Sequence, residues 1–566
     1  MITKVTVHNF KQFEHEEFDL REHIILAGPN NSGKTTLLQA IKVWHLALQK
    51  WTAERGAGSQ AKKRSGVPIT RKDFTVLPLR EMNLLWKDCS VSMKKDESEG
   101  KPGYPRVMKI SVEGRTQANP WELSFEFRYQ SSEQIYVKPA QEHLESLPNA
   151  LKEFRVVHVP PFSGIGAEET RYDRPYQDML IGQGKAGDIL RNLLLEIYTQ
   201  NDKTLWTSFS KEVEIIFGYK LSPPEYEGKP FIFCEYVPGV AETKGKDGLH
   251  KLDIASAGSG FHQVLLIFAF FYARPATVLL LDEPDAHLHI ILQKQIYDRL
   301  RQIAADKDCQ LIIATHSEVL INSTSPEMIL SMYGRPHCLL HDTERQQVAE
   351  ALKRLTAIDV LLSEQSPGIL YVEGESDFNL LRAWSEVLEH PLYEWFIRKP
   401  FWHSMQGRQP KEARSHFFAL QAMKQYMRGY MLLDSDNREI PDHEVAADKL
   451  VVGRWQRYES ENYLIHPDAL LRFAEHHTGP LFLTTAEDYL RDQLPPAVYR
   501  APLEHHDYLE RTPASKTFLP EFFRKIDMPI GKSEYYLIAA QMRKDELCGE
   551  VKEKLDAIYQ ALTSNE

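Results

Sequence analysis

Ile24-Ile25-Leu26-Ala27-Gly28-Pro29-Asn30-Asn31-Ser32-Gly33-Lys34-Thr35-Thr36 is a short apolar run that enters a G-x-x-x-x-G-K-T turn, and helical text follows from Thr35 to Leu48. The run reads as a buried strand, and a strand before the loop with a helix after it is the setting this motif needs. Its glycines free the turn so that backbone N–H groups point inward and cradle phosphates. Lys34 then reaches the β and γ phosphates of a nucleotide, and the Thr35 hydroxyl ligates magnesium.

Two later strand ends fit the same chemistry. Val278-Leu279-Leu280-Leu281-Asp282-Glu283-Pro284 is a fully buried strand ending in two acids, which assigns Asp282 to the magnesium and Glu283 to the attacking water as base. Ile312-Ile313-Ala314-Thr315-His316-Ser317 is a third strand, whose terminal His316 reaches the γ phosphate or that water. Lys34 and Asp282 lie further apart in the chain than one compact nucleotide-binding core requires. Residues 156–236 are therefore expected to hold a helical insertion for dimerisation or partner binding.

The first 340 residues resemble the ATP-binding-cassette superfamily, in particular its SMC-like heads. The resemblance implies ATP and Mg²⁺ as ligands and places Gly28, Asn30, Asn31, Ser32, Gly33, Lys34, Thr35 and Thr36 on the Walker A loop, Asp282 and Glu283 on the Walker B pair, and His316 on the switch histidine. The family's signature loop falls at Ala255-Ser256-Ala257-Gly258-Ser259, where Ser256 and Gly258 fit L-S-G-G-Q and Ala255 and Ser259 depart from it. In that family the signature serine binds the γ phosphate across a dimer, which implies a homo-oligomer formed through the ATPase heads. The departure leaves open whether ATP is hydrolysed or only sensed.

A second α/β pattern follows the break at Ser366-Pro367-Gly368, with strand Ile369-Leu370-Tyr371-Val372, the turn Glu373-Gly374-Glu375-Ser376-Asp377, a helix to Leu388, and strand Tyr430-Met431-Leu432-Leu433 ending in Asp434-Ser435-Asp436. Two parallel strands ending at one edge bring Glu373, Asp377, Asp434 and Asp436 together. Such carboxylates repel one another unless cations sit between them. An all-oxygen donor set points to Mg²⁺ or Mn²⁺ and away from zinc. These motifs resemble the Toprim domain, over 368–464, with Asp377 on the extra acid of its nuclease branch. Tyr458-Glu459-Ser460-Glu461-Asn462-Tyr463-Leu464 is similar to the E-x-E-N-Y-L stretch of related nucleases, so that Glu459 or Glu461 completes a second metal site. Lys411, Lys424 and Lys516 are the candidate lysines for assisting the charge.

The order of ATPase then Toprim is similar to the OLD (overcoming lysogenisation defect) family of ATP-dependent nucleases. The resemblance implies an α/β chain of ABC-type ATPase (1–345, insertion 156–236), linker helix (346–366), Toprim domain (367–470) and helical C-terminal region (471–566). It implies metal-dependent phosphodiester cleavage gated by ATP, with DNA ahead of RNA as substrate, in bacterial anti-phage defence. The alternative is an ATPase sensor or scaffold whose Toprim part cuts RNA such as tRNA or acts with a second defence protein.

Composition agrees with a folded multidomain chain: 566 residues, 42% hydrophobic and 26% charged. A net charge of −11 excludes a polycationic surface, so nucleic-acid contact must be local. The basic clusters Lys62-Lys63-Arg64 and Arg71-Lys72 read as solvated loop, as does 94–105. Five widely spaced cysteines suggest neither a zinc site nor disulfides, the longest apolar run is short of a membrane span, and the start lacks a secretory pattern, so a cytoplasmic location is expected.

Overall fold

In the computed structural model the chain opens with β1 (Ile2–Phe10) and β2 (Phe13–Asp19), then β3 (His23–Ala27), the loop at Gly28 and helix α1 (Lys34–Arg55). With β4 (Val67–Thr70), β5 (Met108–Thr116), β6 (Asn119–Ser131) and β7 (Gln134–Pro139), the first two strands make an antiparallel sheet of order β2-β1-β5-β6-β7-β4. The structure describes residues 1–55, 65–74, 77–92, 105–116, 119–144, 147–200, 203–238, 251–398, 400–405, 410–424, 426–435 and 449–563. The basic cluster 62–64, the loop 94–105 in all but its last residue, and Asp436 lie outside the described residues. What is described divides into two compact units, Met1–Leu352 and Lys353–Glu566.

A second sheet of the first unit holds the motif strands. β8 (Val156–Val159) is followed by helices α2 (Arg174–Gly182), α3 (Leu190–Thr199) and α4 (Lys203–Phe217), and by the short strands β9 (Lys220–Leu221), β10 (Glu235–Val237) and β11 (Leu252–Asp253), which pair with one another. Helix α5 (Ser259–Ala273), β12 (Val278–Asp282), α6 (Ile290–Asp306), β13 (Gln310–Thr315), α7 (Glu318–Asn322), β14 (Ile329–Ser331) and β15 (His337–Cys338) come next. The sheet order is β15-β14-β3-β13-β12-β8, parallel except at β15. Strands β12 and β13 are buried at every residue, which is why they read as continuous apolar text rather than alternation. The stretch 156–236 therefore begins as part of this sheet, with the helices after it.

Helix α1 is buried along most of its length, Leu37 to Leu48, because the core it enters takes residues from both sheets. Trp44 fixes it there, fully buried, with its indole N–H donating to Leu123 O at 2.8 Å.

In the second unit β16 (Gly368–Val372), β17 (Trp402–Ser404), β18 (Arg428–Leu433) and β19 (Leu450–Arg454) form an all-parallel sheet of order β17-β16-β18-β19. Its pleat divides residues between two cores: Leu370, Val372, Tyr430 and Leu432 on one face, and Ile369, Tyr371, Met431 and Leu433 on the other. The helices from Pro467–Thr478 to Gly549–Thr563 bury Leu470, Phe473, Leu555 and Ile558 in the first of these cores, together with the sheet.

The unit boundary falls at 352/353, ahead of Ser366-Pro367-Gly368. Helix α8 (Asp342–Arg354) ends there, and α9 (Ala357–Gln365) starts afresh on a capping box between Thr356 and Asp359. Leu355 and Leu362 pack on the second unit's core, and Lys424 Nζ donates to Ser363 O and Ser366 O at 3.0 Å each. The segment expected as a linker thus belongs in large part to the second unit.

Candidate functional site

Strand register sets the candidate nucleotide site. Asp282 pairs with Ala314 and Ala314 with Leu26, so β3, β12 and β13 all end at the carboxyl edge of the sheet, where open α/β sheets bind ligands. The loop leaving β3 turns back at Gly33, whose φ of +100° is left-handed. A Cβ on Gly33 would stand 2.5 Å from Gln12 Nε2 and from Phe13 Cζ, so only glycine fits. Lys34, 5% exposed, donates to Gly28 O at 2.7 Å and Pro29 O at 2.8 Å. Burial brings its pKa down to about 8, against the pull of Glu283, Asp282 and Asp285. The Ser32 hydroxyl is buried without a hydrogen-bond partner, and Asn30 and Asn31 are exposed on the loop. An unpartnered hydroxyl beside a buried cation in a glycine turn is a donor set that fits phosphate.

The residues expected as metal ligand and base, Asp282 and Glu283, converge on the same edge. Thr35 Oγ1 donates to Asp282 Oδ1 at 3.1 Å, although the two are far apart in sequence. Burial raises the Asp282 carboxyl to about 6, with the Thr35 hydrogen bond opposing it. Glu283 has a φ of +52°, left-handed for a side chain that seldom adopts it, and its N–H donates to Ala314 O at 2.9 Å. His316 Nε2 lies 3.4 Å from Glu283 Oε1, a contact that holds the Glu283 carboxyl below its usual range. Thr36 follows Thr35 in the first turn of α1, half-buried.

Two residues that sequence reasoning missed support this edge. Asp285 accepts from Thr315 Oγ1 at 2.6 Å, and Gln263 of α5 donates to Glu283 O at 3.0 Å and accepts from His287 N at 3.1 Å. Both are polar side chains beside known motifs, so spacing alone gives no signal for them.

Ser256 and Gly258 are exposed on the loop before α5. Ser256 Oγ donates to Asp253 O at 2.7 Å, Asp253 Oδ1 accepts from Ala255 N at 2.7 Å, and Gly258 is the N-cap of α5. Behind the loop, Arg191 is 1% exposed and its guanidinium donates to Asp253 Oδ1 at 2.9 Å, Gly166 O at 2.8 Å and Ala167 O at 3.2 Å. Helix α3 thereby holds the loop in place.

In the second unit, β16 and β18 are parallel neighbours, so Glu373 and Asp434 leave the sheet at one edge, and Asp434 N donates to Glu373 Oε1 at 3.3 Å. Asp377, in the first turn of α10 (Glu375–Val387), accepts from Gly374 N at 2.9 Å. Ser460 ties the group together: its N–H donates to Asp434 Oδ1 at 3.2 Å, and its hydroxyl reaches Asp377 Oδ1 and Glu461 Oε2. Glu459 accepts from Ser515 N at 2.5 Å. Asp377, Asp434, Glu459 and Glu461 are all buried.

Burial raises the Asp434 carboxyl well above the usual range, and the charges of Asp377, Glu373, Glu461 and Glu459 add to it. Burial likewise raises Asp377, Glu459 and Glu461. Mutually repelling oxygen donors are what a hard divalent cation relieves. As they stand, no three His, Cys, Asp or Glu side chains among the described residues are close enough to enclose a metal ion. The donor types fit Mg²⁺ or Mn²⁺, with the side chains held apart by Ser460 and backbone N–H groups.

The lysine beside these acids is Lys532, whose Nζ lies 2.7 Å from Glu461 Oε1. It is none of the three expected. Lys424 caps α9, and Lys411 and Lys516 are exposed. Lys532 opens a short turn after Gly531 in helical text, where a lone lysine carries no sequence signal.

Residues 163–322 match the family model described as "AAA domain, putative AbiEii toxin, Type IV TA system", and residues 1–51 match that of an "AAA ATPase domain". No curated protein matches the chain. Among solved structures it is similar to the SMC head domain from Thermotoga maritima, at 13% identity over 58% of this chain and 94% of that one, with a TM-score of 0.30. It is also similar to the Smc head domain with an extended coiled coil bound to the C-terminal domain of ScpA derived from Pyrococcus furiosus (14%, 58% and 92%, TM-score 0.32). A third is the recombination mediator protein RecF in the RecFOR pathway (14%, 59% and 96%, TM-score 0.30). By the two family matches, the first unit carries an AAA-type ATPase domain. Among the described residues no helix is long and apolar enough to cross a membrane.

Proposed function

We propose that the chain is an ATP-binding, metal-dependent endonuclease of the OLD type, in which the ATPase unit gates phosphodiester cleavage by a Toprim site. The observation that carries the reading is the group of buried carboxylates Asp377, Asp434, Glu459 and Glu461, with Glu373 beside Asp434 and Lys532 on Glu461. Glu373, Asp377 and Asp434 would hold one cation, and Glu459 or Glu461 would help hold a second. Mg²⁺ or Mn²⁺ bound there supplies water activation and stabilises the leaving oxygen. Ser460 orients Asp434 and Asp377, and Lys532 offsets negative charge where a phosphodiester would enter.

In the ATPase unit Lys34 and Ser32 bind phosphate, Thr35 and Asp282 hold Mg²⁺, and Glu283, oriented by His316, takes the proton of the attacking water. The exposed Ser256 and Gly258 suit a role on the nucleotide of a second copy, which makes the working form a homo-oligomer. DNA is the preferred substrate, and the role is bacterial anti-phage defence. A match to a family model named for a toxin favours one alternative: a toxin-like chain whose second unit cuts RNA such as tRNA or acts with a partner protein.

The test is cleavage of supercoiled plasmid and of total RNA by purified protein with Mg²⁺ or Mn²⁺, with and without ATP, beside Glu373→Ala and Lys34→Ala. DNA nicking that Glu373→Ala abolishes, and that Lys34→Ala uncouples from ATP, is the expected result. Intact DNA with cleaved RNA selects the alternative, and metal-independent cleavage overturns both.

A further inference from the structure

A cavity of about 390 Å³ lies in the first unit between α1, β8, α2 and the end of α5, away from the carboxyl edge of the sheet. Its walls carry Lys42, Arg155, His158, Arg174 and Arg274 against a single carboxylate, Asp178. Two of these cations are more than nine-tenths buried: Lys42 is 8% exposed and Arg274 4%. Burying a charge without a partner is expensive, so their contacts define the site.

Arg274 uses only one nitrogen. Its Nη2 donates to Gln177 Oε1 at 2.5 Å and lies 3.5 Å from Glu196 Oε1, while Nε and Nη1 are buried with no hydrogen-bond partner. Lys42 Nζ lies 3.1 Å from His158 Nδ1. An ammonium has only protons to give, so Nδ1 is the acceptor and the ring proton sits on His158 Nε2, also buried and unpartnered. The unmet groups are thus all donors: two guanidinium nitrogens and an imidazole N–H, beside an ammonium. Leu46, Ile181 and Phe270 supply an apolar part to the wall.

We propose that this cavity binds the phosphate group of a small phosphate monoester, at a site separate from the Gly28–Thr35 loop. A guanidinium offers paired N–H groups that match two oxygens of a phosphate, and a dianion balances the excess of Lys42, Arg155, Arg174 and Arg274 over Asp178 and the Glu196 carboxylate beside Arg274. The volume is in the range of small-molecule sites and well beyond one bare ion, which leaves room for an organic moiety against Leu46 and Phe270. The same residues sit on α1, on β8 beside the strand of Asp282, and on α5 behind the Ser256 loop, so the ligand would touch elements that carry nucleotide motifs.

The experiment is calorimetric titration of the full chain, its nucleotide loop already saturated with ATPγS and Mg²⁺, using inorganic phosphate and AMP as probes and adenosine as the uncharged control. One further AMP per chain is expected, with weaker phosphate binding and none of adenosine. Arg274→Gln should weaken AMP about tenfold or more, the effect of one lost charge-assisted hydrogen bond. Arg155→Gln and Arg174→Gln, at exposed positions where folding is not at stake, should each weaken it severalfold. Failure of AMP and phosphate to bind the wild type overturns the site, as does binding that none of the three substitutions changes.

Discussion

Arg191→Met tests whether helix α3 supports the Ser256 loop. The substitution keeps most of the apolar stem but removes every donor that the buried guanidinium gives to Gly166 O, Ala167 O and Asp253 Oδ1. Two part-buried carbonyls then lose their partner, at roughly 1–3 kcal/mol each. Asp253 is 43% exposed at its side chain and recovers hydration, so it adds little. The packing retained by methionine offsets part of the loss, leaving a net destabilisation of about 2–4 kcal/mol. In a unit of this size, Met1–Leu352, that lowers the melting temperature by about 3–5 °C.

The second consequence is local. Released from Arg191, Asp253 no longer holds both Ala255 N–H and the turn bearing Ser256 in one geometry. ATP turnover at saturating nucleotide should fall in Arg191→Met and in Ser256→Ala, and the double variant should be no worse than the poorer single one, since both act on one loop. Asp253→Ala, at a half-exposed position, gives the same comparison with less risk to folding. A stability loss below about 1 kcal/mol, or effects on turnover that multiply, would refute the reasoning.

Gly33→Ala should remove measurable ATP binding, because the added methyl meets Gln12 and Phe13 at a left-handed φ; unchanged affinity in a nucleotide titration would contradict that geometry. Burial brings Lys42 from 10.5 down to about 7. Between those values the unfolded chain binds more protons, so stability rises with pH from about 7 to 10.5, and the penalty of a buried charge is complete below 7. Lys42→Met should therefore stabilise the protein by about 1–3 kcal/mol at pH 6 and by little at pH 10 in urea denaturation, whereas an equal difference at both would exclude this. Asp434→Asn keeps an acceptor for Ser460 N and deletes one repelling charge, so in EDTA it should be more stable than wild type by about 1–2 kcal/mol and lose the further stabilisation that Mg²⁺ gives wild type. A variant that melts below wild type without metal would show that the acids do not crowd one another.

The parts legible in the chain were those written as contiguous text. The Gly28–Thr35 loop, the acid pair after β12 and the strands β16 and β18 each announce themselves through a buried apolar run that stops at a polar turn. Strands β17 and β19 did not, because Trp402-His403-Ser404 is half-buried at one sheet edge without an apolar run, and the run at the other edge, Leu450-Val451-Val452, is only three residues long with Val451 exposed. The break at Ser366-Pro367-Gly368 looked like a boundary, yet Leu355 and Leu362 ahead of it already pack on the second core. Long-range partners were least accessible: Ser460 was visible only as a letter between two glutamates, Lys532 reaches Glu461 from distant helical text, and Arg191 faces Asp253 across an insertion that no periodicity could orient. Asp436, read as a ligand from its spacing to Asp434, lies outside the described residues.

The two hydrogen bonds of Lys34 bear on selectivity. Its ammonium is already held by Gly28 O and Pro29 O, so an arriving molecule does not fill an empty socket but must displace two carbonyls from a charged donor. A nucleoside offers nothing in exchange, and a short phosphate chain that stops before the lysine leaves those bonds intact. Only a ligand whose terminal phosphates reach Nζ replaces them with a stronger charge pair. For the nucleotide-binding loop proposed above, these two bonds set a length gauge that ranks nucleotides by how far their phosphates extend.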